Sequence, residues 1–393
     1  MEYFIVFFYL LILVNFYDLK GYKKFKKIHR ITLLCVLILL AGLRYRVGPD
    51  TISYELYFKD FIVPLSDLDL DSFIFTRYQP FWILLNSFCK SFGSFVWVQM
   101  IAAFIFNSCV FYFFKKSTSK FFTAVLIYFL LEYLYLSMDV MREAVAIGLF
   151  LIAILKLSNK KYLTYYLIII IATLFHFFAA FAFLMPIILT KKIHSNVKIS
   201  FAVISLIFIL SLGIATQSIG TFINIFTESK DLSFFAEFEE LSLTPLGYFF
   251  NLMRIIPLFL ITLFYKKNKE LSLVFLPKRY ILIFSNLFIY IVIIRIFAVP
   301  FAERLLNYFI IFVQLLLLNF SYDFAKRYFK NNSRFIGVLL PIFIHFFFYI
   351  STFLKISPYY GVRYYKIYYP YYSVFSEGID KDREKIIYMT GKE

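Results

Sequence analysis

Apolar runs recur along the whole chain, near residues 2–17, 31–43, 95–114, 121–137, 143–157, 199–219, 246–265, 280–300, 304–322 and 335–354. Runs approaching ~20 residues cross a ~30 Å hydrocarbon core as helices, because a helix satisfies its own backbone polar groups where no water can. With 62% hydrophobic residues, and only 12 Gly and 11 Pro in 393 to interrupt them, a soluble domain is excluded. The expected fold is an all-α, polytopic integral membrane protein, with residues 1–393 forming a single membrane domain.

The net charge of +17 lies between those runs rather than on a soluble basic face, which argues against nucleic acid as a partner. Connectors such as "KGYKKFKKIHR", "KKSTSK", "KLSNKK", "KKIHSNVK", "KKNKE" and "KRYFKNNSR" hold much of the Lys and Arg. Among the acids, these connectors and their flanks carry only Asp18, Glu270 and Asp323. The positive-inside rule makes them cytoplasmic, with the bilayer as the chain's surroundings. The opposite face then holds a first external loop at 44–80, an acidic loop at 220–245 and a Tyr-rich tail at 355–393. That tail reads as an interfacial aromatic belt. Cys35, Cys89 and Cys109 sit in apolar surroundings without paired spacing, so no disulfide framework or zinc site is indicated. The opening "EYFIVFFYLLILVNFY" has no basic leader and reads as a retained first span.

The stretch 162–189 lies between two basic connectors, and a single straight helix there would overrun the ~30 Å core. Two half-spans meeting near His176 keep both flanks on one side and make His176 a cavity residue, because broken backbone at that depth must be buried in protein or line a wet cavity. The hairpin brings the total to about twelve crossings, with both termini outside. "YQPFWILLNSFCKSF" is too short and mixed to span and reads as an interfacial helix.

Polar chemistry gathers on the external face. "RYRVGPDTISYELYF" opens the first loop, "SMDVMREAVA" places Asp139, Arg142 and Glu143 between two spans, and "VPFAERLLNYF" supplies Glu303 and Arg304. Each arginine at a helix end has a plain alternative, in which it snorkels to the headgroups. Arg254 and Arg295 sit nearer mid-span, where a charge needs a partner or a wet cavity. His176 has its own alternative as a hydrogen-bonded core histidine.

The pattern Arg44, Gly48, Asp50 and Tyr54, followed in order by "MREAVAIGLFLIAI", "LFHFFAAF" and "ERLLNYF", resembles the EpsG family of exopolysaccharide proteins, relatives of the Wzy O-antigen and capsule polymerases. Glu143 stands where family members often carry glutamine. The resemblance runs from about residue 40 to 310. It implies polymerisation outside the cell membrane: a glycan carried on undecaprenyl pyrophosphate passes to another lipid-linked repeat unit, with chain-length regulator and flippase proteins as partners. A pyrophosphate leaving group suits arginine forks. The expected catalytic residues are therefore Asp50, Arg142, His176 and Arg304, with Arg44, Gly48, Tyr54, Asp139, Glu303, Arg254 and Arg295 on the substrate. No cofactor and no metal is expected, because the acids lie beside arginines instead of forming a close carboxylate pair. Asp50, Asp139 and His176 all remain open as the general base. A lipid-linked oligosaccharide flippase, a membrane acyltransferase and a non-catalytic scaffold are the rival readings.

Overall fold

The computed structural model of the chain describes residues 2–69, 71–74, 78–190, 255–265, 271–295, 299–329, 335–343, 354, 356, 357, 360–376 and 378–390. Among these, regular structure is helical, and β pairing is confined to three isolated bridges. Helix α1 (Glu2–Leu13) continues into a π-helical turn (Val14–Leu19). It is followed by α2 (Lys26–Gly42), α3 (Pro49–Asp60), α4 (Pro80–Lys90), α5 (Val96–Ser117) and α6 (Phe121–Leu131). A second π-helical turn (Tyr133–Ser137) leads to α7 (Met141–Ser158) and α8 (Tyr162–Phe175). Then come a 3-10 segment (Phe177–Leu184), α9 (Met185–Thr190), α10 (Ile255–Tyr265), α11 (Lys278–Arg295), α12 (Val299–Tyr328) and α13 (Lys381–Thr390).

Among the described residues, three helical stretches are long and apolar enough to cross a membrane: Glu2–Leu19, Val96–Ser117 and Arg304–Tyr328. Further apolar helices are shorter, so the expected twelve crossings are not established as a count. Arg304–Tyr328 is buried over 89% of its apolar window and forms the centre of the bundle. Around it pack Phe113, Phe150, Phe181 and Phe284, with Phe284 and Phe312 ring centroids 4.1 Å apart. Glu2–Leu19 instead exposes Phe4, Ile5, Phe8 and Ile12, an outward apolar face suited to hydrocarbon. At 11 residues, α4 is too short to cross.

The break expected near His176 is present. Helix α8 ends at Phe175, His176 is extended (φ −153°, ψ 115°), and Phe177–Leu184 folds back along α8. The Tyr165 hydroxyl donates to the Ala182 carbonyl, and the Tyr166 and Phe183 rings stack with centroids 6.2 Å apart, so the two arms run antiparallel.

Contacts between distant segments define two ends of the bundle. At one, Asp18 accepts from the Thr123 N–H (2.7 Å), Phe275 N–H donates to the Ser117 carbonyl (2.8 Å), and Ser272 donates to Asp323 (2.7 Å). Lys20 and Lys120, from two of the lysine-rich connectors, lie at this end, Lys120 donating to the Asp18 carbonyl. At the other end, Tyr3 donates to the Tyr368 carbonyl (3.1 Å), and the first turns of α3 and α7 meet.

Candidate functional site

At this second end the backbone is shaped before any side chain is placed. In the π-helical turn, the Tyr135 carbonyl accepts from the N–H groups of both Asp139 and Val140, each at 3.1 Å. Extra residues of this kind often mark functional sites. Asn107 holds the turn by donating to Ser137 (2.8 Å) while accepting from Tyr128 (3.0 Å). Helix α7 then starts at Met141, which puts Glu143 in its first turn, where unpaired backbone N–H groups favour an acid.

Helix α3 approaches from the side. Pro49 at its first position suits a helix start, and Gly48 before it has φ +90°. A side chain at Gly48 would place Cβ 2.8 Å from Asp139 Oδ1 and 2.9 Å from the Met138 carbonyl, so the close approach requires glycine. Asp139 Oδ1 accepts from the Asp50 backbone N–H (2.9 Å) and so caps α3 from a distant part of the chain. Its Oδ2 accepts from the Tyr368 hydroxyl (3.1 Å). Asp139 is 5% exposed. Burial, and then Asp50 beside it, push its pKa well above the ordinary carboxylate range. Arg44, 1% exposed, donates to the Ala41 carbonyl and to Thr51 Oγ1 (3.0 Å), and Thr51 donates to the Met138 carbonyl (2.6 Å).

Helix α12 completes the site. Arg304 pairs with Glu143 Oε2 at 2.7 Å and lies 3.9 Å from Asp50 Oδ2. Glu143 Oε1 accepts from Asn307 (2.8 Å). Arg142 donates to Gln79 (2.9 Å) and stands over the Tyr78 ring at 4.6 Å. Its buried Nε has no partner among the described residues. His176 shares a 3.2 Å hydrogen bond with Tyr308, one turn along α12 from Arg304. Arg304 and Asp50 remain partly open, their side chains 29% and 37% exposed, while His176 is buried. The result is two guanidinium groups held by neighbours, with the partly open carboxylate of Asp50 beside Arg304.

Arg304 thus stands beside Asp50, and the charges of Arg142 and Arg304 both reach His176, which bonds to Tyr308 one helical turn along α12. The structure places Arg44, Gly48 and Asp139 beneath them, forming the α3 start. Tyr54 is buried between Tyr78 and Trp82, with ring centroids 5.8 and 5.3 Å away. The side chains of Glu303 and Arg295, the whole of Arg254 and the acidic loop 220–245 lie outside the described residues. Glu143, Gln79, Asn307, Tyr308 and Tyr368 were not among the expected site residues. Asn307 and Tyr308 follow Arg304 by three and four positions, the same-face spacing of a helix, which is a signal readable in the sequence. Tyr368 carries no such signal. Among the described residues, no three His, Cys, Asp or Glu gather into a metal-binding group.

The family model described as the EpsG family matches residues 27–373, nearly the whole chain. No curated protein and no solved structure matches it. The chain therefore belongs to the EpsG family, a Wzy-like polymerase family, and is a helical membrane protein of polysaccharide biosynthesis.

Proposed function

We propose that this EpsG-family protein is a polysaccharide polymerase, working at the outer face of the bacterial cell membrane on glycans carried by undecaprenyl pyrophosphate. The acceptor hydroxyl oxygen bonds to the anomeric carbon of the donor glycan, and the bond from that carbon to the pyrophosphate oxygen breaks. Its electron pair leaves with undecaprenyl pyrophosphate, and the hydroxyl proton passes to a base. The observation that carries this reading is the approach of Arg304 to the partly open Asp50, with Arg142 near enough that both guanidinium charges act on His176 and Tyr54. Two planar, permanently charged forks suit a departing pyrophosphate, and a neighbouring carboxylate suits the acceptor proton.

In this account Arg142 and Arg304 take the pyrophosphate and Asp50 is the base, with His176 the second candidate. Arg44, Gly48, Tyr54 and Asp139 hold the α3 start in place. Glu303, Arg254 and Arg295 are assigned to substrate from the sequence. Fixed guanidinium charge neutralises the leaving group where other transferases use a divalent ion, so the reaction is proposed to be metal-independent.

Deleting the protein tests the reading against its nearest rival. Loss of a polymerase leaves single lipid-linked repeats on the outer face. Accumulation on the inner face would identify a flippase instead.

A further inference from the structure

The segment after residue 360 packs against the chain leading into α3, beneath the site. Tyr45 N–H donates to the Tyr372 carbonyl (2.8 Å), and Val374 N–H to the Leu43 carbonyl (2.9 Å). Together with the antiparallel bridge between Arg44 and Ser373, these bonds lay the segment along the chain leading into α3. Buried Arg383, on α13, fastens it by donating to the carbonyls of Ile367, Pro370 (3.4 Å) and Arg46 (3.1 Å). The segment therefore reaches the site along a fixed path, and one of its hydroxyls ends on a site carboxylate. Tyr368 donates to Asp139 Oδ2, and Asp139 Oδ1 receives the N–H of Asp50. Tyr371, three residues on, bonds instead to the Leu40 carbonyl (3.0 Å).

We propose that Tyr368 is a positioning residue for glycosyl transfer: through Asp139 it fixes the backbone at Asp50, and with it the aim of the Asp50 carboxylate beside Arg304. The proposal rests on the polymerase reading. A carboxylate held by one donor can rotate about its Cβ–Cγ bond, whereas donors on both oxygens hold its plane. A displaced Asp50 slows the transfer step while leaving the arginines free to bind the lipid pyrophosphate. Small misplacements of a catalytic group are costly for that reason.

The test is elongation kinetics on purified full-length protein with lipid-linked repeat units, comparing Tyr368→Phe, Tyr371→Phe, Asp139→Asn and the Tyr368→Phe/Asp139→Asn double variant. Tyr368→Phe is expected to lower kcat about tenfold with KM within about twofold of the unmodified protein. Tyr371→Phe, which removes a hydroxyl from the same segment, stays within about twofold in both. Because Tyr368 acts through Asp139, the double variant is no slower than the slower single one. The proposal is overturned by full kcat in Tyr368→Phe, by equal losses in the two Phe variants, by multiplying losses in the double variant, or by Tyr368→Phe failing to accumulate in the membrane at the Tyr371→Phe level. If the unmodified protein elongates nothing, the polymerase reading falls and this assignment falls with it.

Discussion

In the proposed reaction, arginine at 142 and 304 acts through its shape as well as its charge. Arg304 reaches Glu143 and Asp50 with different terminal nitrogens, and Arg142 joins a neutral amide to a ring face. Lysine keeps the charge but loses the planar fork, so Arg142→Lys and Arg304→Lys should each cut polymer yield by about tenfold or more at normal protein levels. Glu143 and Arg304 are coupled in the opposite sense. Glu143→Ala leaves the guanidinium facing an emptied pocket and should cost about 2 kcal/mol of stability, moderated by the partial exposure of Arg304. Glu143→Gln keeps an acceptor there and should retain activity, which thermal unfolding and polymer assays on the two variants would separate. Gly48→Ala should destabilise by about 2 kcal/mol or more, because it combines a positive φ with a Cβ pressed against Asp139. Asp139 makes stability depend on pH. Its folded-state pKa is raised, so its contribution is fully present below the ordinary aspartate pKa and is lost as pH rises through the raised value. Unfolding temperatures should fall over that window, and Asp139→Asn should flatten the fall.

At the scale of elements, the broken hairpin was legible because its length disagreed with its charged flanks: an apolar run too long for one span lay between two basic connectors. The start of α3 was partly legible, since Gly-Pro before an aspartate announces a helix entrance. What Gly48 packs against was not, because Asp139 is distant in sequence and hydropathy says nothing of pairing. The Tyr-rich tail shows the same limit. Its composition fits an interfacial belt, yet Tyr368 and Tyr371 turn inward to Asp139 and Leu40 through contacts that span most of the chain. The hairpin makes its own prediction through His176 and Tyr308. His176→Ala removes the imidazole from beneath Arg304 and should cut polymer yield strongly with normal membrane levels of the protein. Full activity in that variant would make His176 an ordinary hydrogen-bonded core residue.

For the whole molecule, Asp18, Lys120 and Asp323 lie at one end of the helical bundle and the arginine–carboxylate site at the other. If the positive-inside rule orients it, single cysteines at Lys24 and Lys116 should resist an impermeant thiol reagent in intact cells while one at Asp67 reacts. Labelling at Lys24 and Lys116 with protection at Asp67 would put the site on the wrong face for a polymerase of exported glycans. In the proposed reaction, two fixed arginines carry the charge of the leaving pyrophosphate. Elongation of lipid-linked repeat units by the purified protein in excess chelator, run beside Arg142→Lys and Arg304→Lys, decides this. Polymer is expected from the unmodified protein and little from either lysine variant. Activity lost in chelator and restored by magnesium or manganese, or lysine variants as active as the parent, would contradict it.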